Sequence, residues 1–133
     1  LALTPEQTVT LSNRAYKPLR PANVKVNGVA FGTVNATAAT NITVTWADRN
    51  RLLEVTQIMS WTDATVTPES GQTTTIYLYD SAGTLITSFT GLTGTTYTFA
   101  KSAFGAISSG RLKIVSVRAG IESLQGMDFL LTI

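Results

Sequence analysis

The side chains with most scope for chemistry are the carboxylates Asp48, Glu54, Asp63, Glu69, Asp80, Glu122 and Asp128. A pair of carboxylates flanking a glycosidic bond can hydrolyse it. Oxygen groups such as Asp48 with Asp63, or Asp80 with Ser81, can ligate calcium. The spacing favours neither. The acids are scattered, mostly at turns or strand ends, and no Asp-x-Asp-x-Asp loop is present. Asp80-Ser-Ala-Gly83 reads better as turn chemistry, because Asp favours such turns and Gly permits positive φ. The sequence has no histidine and no cysteine. A serine nucleophile therefore has no imidazole to take its proton. Thiolate nucleophiles, thiolate or imidazole metal sites and disulfides are excluded as well. No glycine-rich phosphate loop precedes a helix. The expectation is a chain with no catalytic residues, no cofactor and no metal site, its acids solvated at turns.

Five residues are candidates for recognition instead. Tyr77 and Tyr79 project from one face of a strand, where they can stack on a sugar, contact a protein or pair across strands. Trp61 either caps the core beneath a long connection or anchors a partner. Arg49 and Arg51 either meet acidic groups of a neighbouring subunit or are solvated. With Arg14, Lys17 and Arg20 they make two basic spots. The net charge is only +2, and no nucleic-acid-reading motif accompanies them. Asn35-Ala-Thr37 and Asn41-Ile-Thr43 match the glycosylation acceptor pattern, which arises often by chance in a threonine-rich chain.

The elements that must position these residues are strands. At 133 residues, 44% hydrophobic and 14% charged, the chain suits one domain with one core. No apolar run approaches the roughly 20 residues of a membrane span, and no signal-peptide pattern is seen. The start at Leu1 is read as processing or as part of a longer polypeptide. Residues 1–22, with Pro5, Pro18 and Pro21, read as an extended linker or a segment from an upstream domain. From Asn23 onward the period is two. Strands are predicted at 23–26, 41–47, 73–79, 84–90, 95–99, 111–119 and 127–133. Turns are predicted at Asn27-Gly28, Asp80–Gly83, Gly91–Gly94 and Gly120. The stretch 49–65 fits helical and strand templates only in part. About seven short strands without a long amphipathic helix predict an all-β, two-sheet antiparallel sandwich. Its candidate core is Trp46, Ile42, Val44, Ile76, Leu78, Phe99, Val115 and Val117, with the register around Ile114-Val115 open.

The order of features resembles a fibronectin type III domain. A proline-rich segment leads to Asn23-Val-Lys-Val-Asn-Gly28, and a strand then ends in Trp46. Ile76-Tyr-Leu-Tyr-Asp80, Thr95-Thr-Tyr-Thr-Phe99, Val115-Ser-Val-Arg-Ala-Gly120 and Glu122-Ser123 follow. Four further segments narrow the match: Arg14-Ala-Tyr-Lys-Pro-Leu-Arg-Pro21, Thr45-Trp-Ala-Asp-Arg-Asn-Arg51, Trp61-Thr-Asp63 and Pro68-Glu69. Together, over residues 14–133, they resemble the C-terminal region of tail-tip or baseplate hub proteins of long-tailed bacteriophages and gene transfer agents. The connection from Asp48 to Thr73 is longer than usual between the second and third strands of such a module.

The resemblance implies a fibronectin-like module over residues 23–133, in the virion at the tail tip, assembled in the host bacterial cytoplasm. Its implied partners are other tail proteins within a homotrimeric hub, with a host cell-surface receptor or glycan as a further one. Neither nucleic-acid specificity nor a membrane span is expected. The alternative is a carbohydrate-binding or spacer module of a secreted hydrolase, motivated by Tyr77 and Tyr79.

Overall fold

A computed structural model describes residues 14–54 and 58–133. Among these residues nine strands make two sheets. They are β1 Ala22–Val26, β2 Thr33–Asn35, β3 Asn41–Ala47, β4 Gln72–Asp80, β5 Leu85–Leu92, β6 Thr96–Ala100, β7 Ser109–Arg118, β8 Ile121–Glu122 and β9 Met127–Thr132. One sheet has the order β1-β3-β6 and the other β2-β9-β7-β4-β5, with β8 paired to β7. All pairings are antiparallel except β2 with β9, which is parallel. The strand after β4 stays beside it rather than crossing to the three-stranded sheet. The architecture is the expected all-β sandwich of two sheets, with one parallel pairing where antiparallel ones were expected. Two strands more than expected are present in practice as short pieces, β2 and β8, too brief to show a period of two. No described helix is long and apolar enough to cross a membrane.

Alternation builds the core. Ile42, Val44 and Trp46 on β3 face Ile76 and Leu78 on β4 and Leu112 and Ile114 on β7, with Phe99, Phe129 and Leu131 closing the interior. Trp46 is 4% exposed. The inward set on β7 is Leu112-Ile114-Ser116, which corrects the expectation for two residues. Val115 is buried but lies on the outer face, and Val117 is only half-buried there. Consecutive strand residues point to opposite faces, so Ile114 and Val115 cannot both face the core. Val115 is covered from outside by the segment after β8: a Cβ at Gly126 would lie 2.9 Å from Val115 Cγ1 and 2.7 Å from the Ile114 carbonyl oxygen.

The turns follow their residue types. Asn27 and Gly28 both have positive φ, 48° and 81°. This two-residue turn is closed by reciprocal hydrogen bonds of 2.9 Å between Val26 and Val29 and fits a type I′ geometry. At the β4–β5 hairpin, Asp80 Oδ1 accepts the Ala82 and Thr84 amides at 2.9 and 2.8 Å. Strand β5 is out of step with β4 at two places.

Two ends of the sandwich matter below. The long connection 48–71, the β7–β8 turn and the start of β1 share one end, since Ala22 pairs with Ala47 and Gln72 with Arg118. The β4–β5 turn and the end of β9 share the other, since Asp80 pairs with Gly110 and Ser109 with Thr132. The segment expected as a linker lies against the first end. It opens with a 3-10 turn at Arg14–Tyr16, Pro18 and Pro21 are buried, and the Ala15 carbonyl accepts a hydrogen bond from Arg51 Nη1 at 2.6 Å. Residues 1–13 of that expected segment are outside the described residues.

Candidate functional site

A connection of this length, with no strand among its described residues, must still satisfy its backbone carbonyls. Arg49 does much of that. Its guanidinium donates to the carbonyls of Asp48 and Ala64 through Nη1 at 2.9 and 3.1 Å. Through Nη2 it donates to Ser60, Trp61 and Asp63 at 3.0, 3.4 and 3.0 Å. The residue is 4% exposed, and no carboxylate forms an ion pair with it among the described residues. A planar fork with several fixed donors suits this cage of oxygens; an ammonium point charge does not.

Neighbouring side chains extend the clamp. Trp46 Nε1 donates to Asp48 Oδ1 at 3.2 Å, joining the core indole to the connection. Asn50 Nδ2 donates to the Thr67 carbonyl at 3.0 Å, and its Oδ1 accepts the Leu52 amide at 2.9 Å. Gln72 Nε2 donates to the Arg49 carbonyl at 3.2 Å. Asp63 Oδ2 accepts the Ser60 amide at 2.6 Å. Burial pushes the Asp48 carboxyl above the usual carboxylate range, opposed by the Trp46 hydrogen bond and the Arg49 charge.

Glu69 anchors the far side of the connection. Its side chain is 1% exposed, with Arg51 Nε at 2.9 Å and Arg118 Nε at 3.4 Å. This carboxylate ties the connection to the end of β7, while Arg51 also reaches the Ala15 carbonyl. Around this frame several apolar side chains face water: Leu52, Leu53 and Ile58 are 61%, 54% and 99% exposed. Trp61 is half-buried against the edge of the core, with Arg20 over its ring at 5.3 Å and Phe31 at 6.4 Å.

The candidate recognition residues therefore separate. Arg49, expected at the surface, is an interior strut, because loop carbonyls rather than a partner satisfy it. Arg51 is half-buried and spent on Glu69. Trp61 sits at the rim of the same end. Tyr77 and Tyr79 lie elsewhere, on the outer face of the five-strand path, with ring centroids 6.2 Å apart. Tyr77 Oη donates to Glu122 Oε1. That bond, with burial and the Glu122 and Tyr79 charges, pushes the phenol up to about 12. Arg111 covers the Tyr79 ring at 4.6 Å. Both tyrosines are half-buried by these neighbours, so neither presents an open platform for stacking. Sequence reasoning missed Asn50 and Gln72 and took Glu69 for a solvated carboxylate, whereas its side chain is 1% exposed between two arginines. The usable signal was the length of the connection itself, which demands internal donors. Among the described residues no group of three or more Asp or Glu is placed to hold a metal ion.

A solved structure described as a Fn3-like protein from Clostridium thermocellum aligns with 86% of this chain and 92% of its own length, at 14% identity and a TM-score of 0.47. No protein-family model and no curated protein matches the chain.

Proposed function

We propose that the chain is a non-catalytic structural module of a long-tailed phage tail tip or baseplate hub, docking neighbouring tail proteins through the end of the sandwich that carries the long connection. The observation behind this reading is the clamp around Arg49. Three of the segments that carry the hub resemblance, Thr45–Arg51, Trp61–Asp63 and Pro68-Glu69, join one hydrogen-bonded frame. Beside this frame Leu52, Leu53 and Ile58 face water. Apolar side chains kept outside a core suit a protein interface.

The non-catalytic part of the reading is supported by how the acids are used. Asp48 accepts the Trp46 indole, Asp63 a loop amide, Glu69 two arginines, Asp80 its own turn and Glu122 a tyrosine. In the hub setting the module is repeated by the trimer, beside tail neighbours or a host surface.

Photo-crosslinking tests the reading. A photoreactive residue at Leu53 or Ile58 in assembled particles is expected to join the module to another tail protein. The same residue at Ser88, on β5, serves as the comparison. Cross-links no more frequent from Leu53 and Ile58 than from Ser88 would remove the docking surface, and absence of the chain from purified particles would remove the hub assignment.

A further inference from the structure

At the end of the sandwich opposite the Arg49 clamp, a cleft of about 470 Å³ opens between the β4–β5 turn and strands β2, β7 and β9. We propose that this cleft binds a neutral pyranose, as a monosaccharide unit of a glycan chain. The inference does not depend on the docking reading above.

Charge comes first. One wall carries Asp80 and another carries Arg111, and the two form no ion pair. An anionic ligand drawn to Arg111 meets Asp80, and a cation drawn to Asp80 meets Arg111. A neutral ligand that offers donors and acceptors side by side satisfies both. Sugar hydroxyls do this, since each both donates and accepts.

Both groups are held in place and retain capacity. Asp80 Oδ1 is engaged by the Ala82 and Thr84 amides, and no described residue donates to its Oδ2. Arg111 lies against the Tyr79 ring at 4.6 Å. Its Nε stands 3.5 Å from Asp128 Oδ1 and has no hydrogen-bond partner among the described residues. The guanidinium is thus held between the Tyr79 ring and the Asp128 carboxylate, and its Nη1 and Nη2 make no hydrogen bond among the described residues.

The rest of the lining suits the same ligand. Thr33, Ser81 and Thr132 add hydroxyls, and Leu130, 59% exposed, adds an apolar wall for the C–H face of a pyranose. Gly110 also lines the cleft. A Cβ there would lie 2.8 Å from the Phe104 ring and 3.0 Å from the Tyr79 carbonyl oxygen, so packing beneath the cleft keeps this position a glycine. The volume falls in the usual range for a small-ligand site.

The test is an amide NMR titration of the full chain with methyl glucoside, galactoside, mannoside and N-acetylglucosaminide, and with glucuronate and glucose 6-phosphate as charged counterparts. At least one neutral glycoside is expected to shift amides of Asp80–Gly83, Gly110-Arg111 and Leu130–Thr132 with millimolar affinity. Arg111→Ala and Asp80→Asn are each expected to weaken it about tenfold, the effect of losing one charge-assisted hydrogen bond. Asp80→Asn keeps the side-chain oxygen that closes the turn, and thermal unfolding of both variants separates lost binding from lost fold. The proposal is overturned if no neutral glycoside shifts these amides, if the charged sugars bind there more tightly, or if a folded Arg111→Ala chain binds as before.

Discussion

At the scale of single residues, the least replaceable polar side chain is Arg49. Its guanidinium is taken out of water chiefly against carbonyls, and removing it leaves five hydrogen bonds unmade. A buried carbonyl left unpaired costs about 1–3 kcal/mol, so Arg49→Ala should cost on the order of 3–5 kcal/mol in chemical denaturation. Arg49→Lys should recover little, because an ammonium cannot reach both rows of carbonyls. A lysine variant as stable as the parent would show that charge rather than fork geometry holds the connection. Asp48 gives a pH signature. Its folded pKa is raised above 3.8, so between that value and the raised one the folded state binds more protons than the unfolded state. This contribution favours folding below 3.8 and is lost as pH rises through the folded pKa. Asp48→Asn keeps an acceptor for the Trp46 indole without the charge. It should flatten the fall of melting temperature across that window, and an unchanged slope would assign the pH dependence to other groups.

At the scale of elements, the described parts of the connection, 48–54 and 58–71, are tied down by side chains without being helix or strand. Glu69 fastens the connection to β7. Deleting the carboxylate by Glu69→Ala leaves Arg51 and Arg118 without their shared partner. Both arginines keep 26% and 29% exposure, so water relieves part of the loss, and about 1–3 kcal/mol is expected by denaturant melts, below the fully buried case. Amide exchange should also speed up between residues 60 and 67 while β4 stays protected; uniform loosening would mean that the connection is not a separate unit. These elements also mark what could be read beforehand. Strands with clean alternation, such as Ile42-Thr43-Val44-Thr45-Trp46, were legible because period two states the buried face directly. The turns at Asn27-Gly28 and Asp80–Gly83 were legible because those residue types tolerate the required backbone. Val115 and Val117 were misassigned because β-branched residues on both faces erase the alternation. The clamp was not legible as a site, since an arginine that will bind carbonyls from a segment more than ten positions away looks like any surface cation.

At the scale of the whole molecule, the two layers are held by one shared interior, and Trp46 links it to the clamp. Trp46→Ala should cost roughly 3–5 kcal/mol through the cavity left behind, a large part of the ~5–15 kcal/mol that stabilises a typical domain. The loss should appear in one cooperative transition seen alike by tyrosine fluorescence and circular dichroism. Two separated transitions would mean that the connection melts independently of the sandwich. The proposed docking face and the cleft sit at opposite ends, so alanine at Leu53 should leave any ligand response at Arg111 unchanged.

The parallel pairing of β2 with β9 carries a mechanical consequence. Thr33–Asn35 runs alongside Leu130–Thr132 in the same direction. The described chain begins at one end of the sandwich and finishes at the other. Tension applied between those points drags β2 one way and β9 the other, so their hydrogen bonds bear load together instead of parting one by one like a zip. Stretching a single molecule from its two ends should therefore require a markedly higher rupture force than pulling sideways through handles at Asn35 and Ser88. Equal forces in the two directions would show that this short parallel rung bears no load.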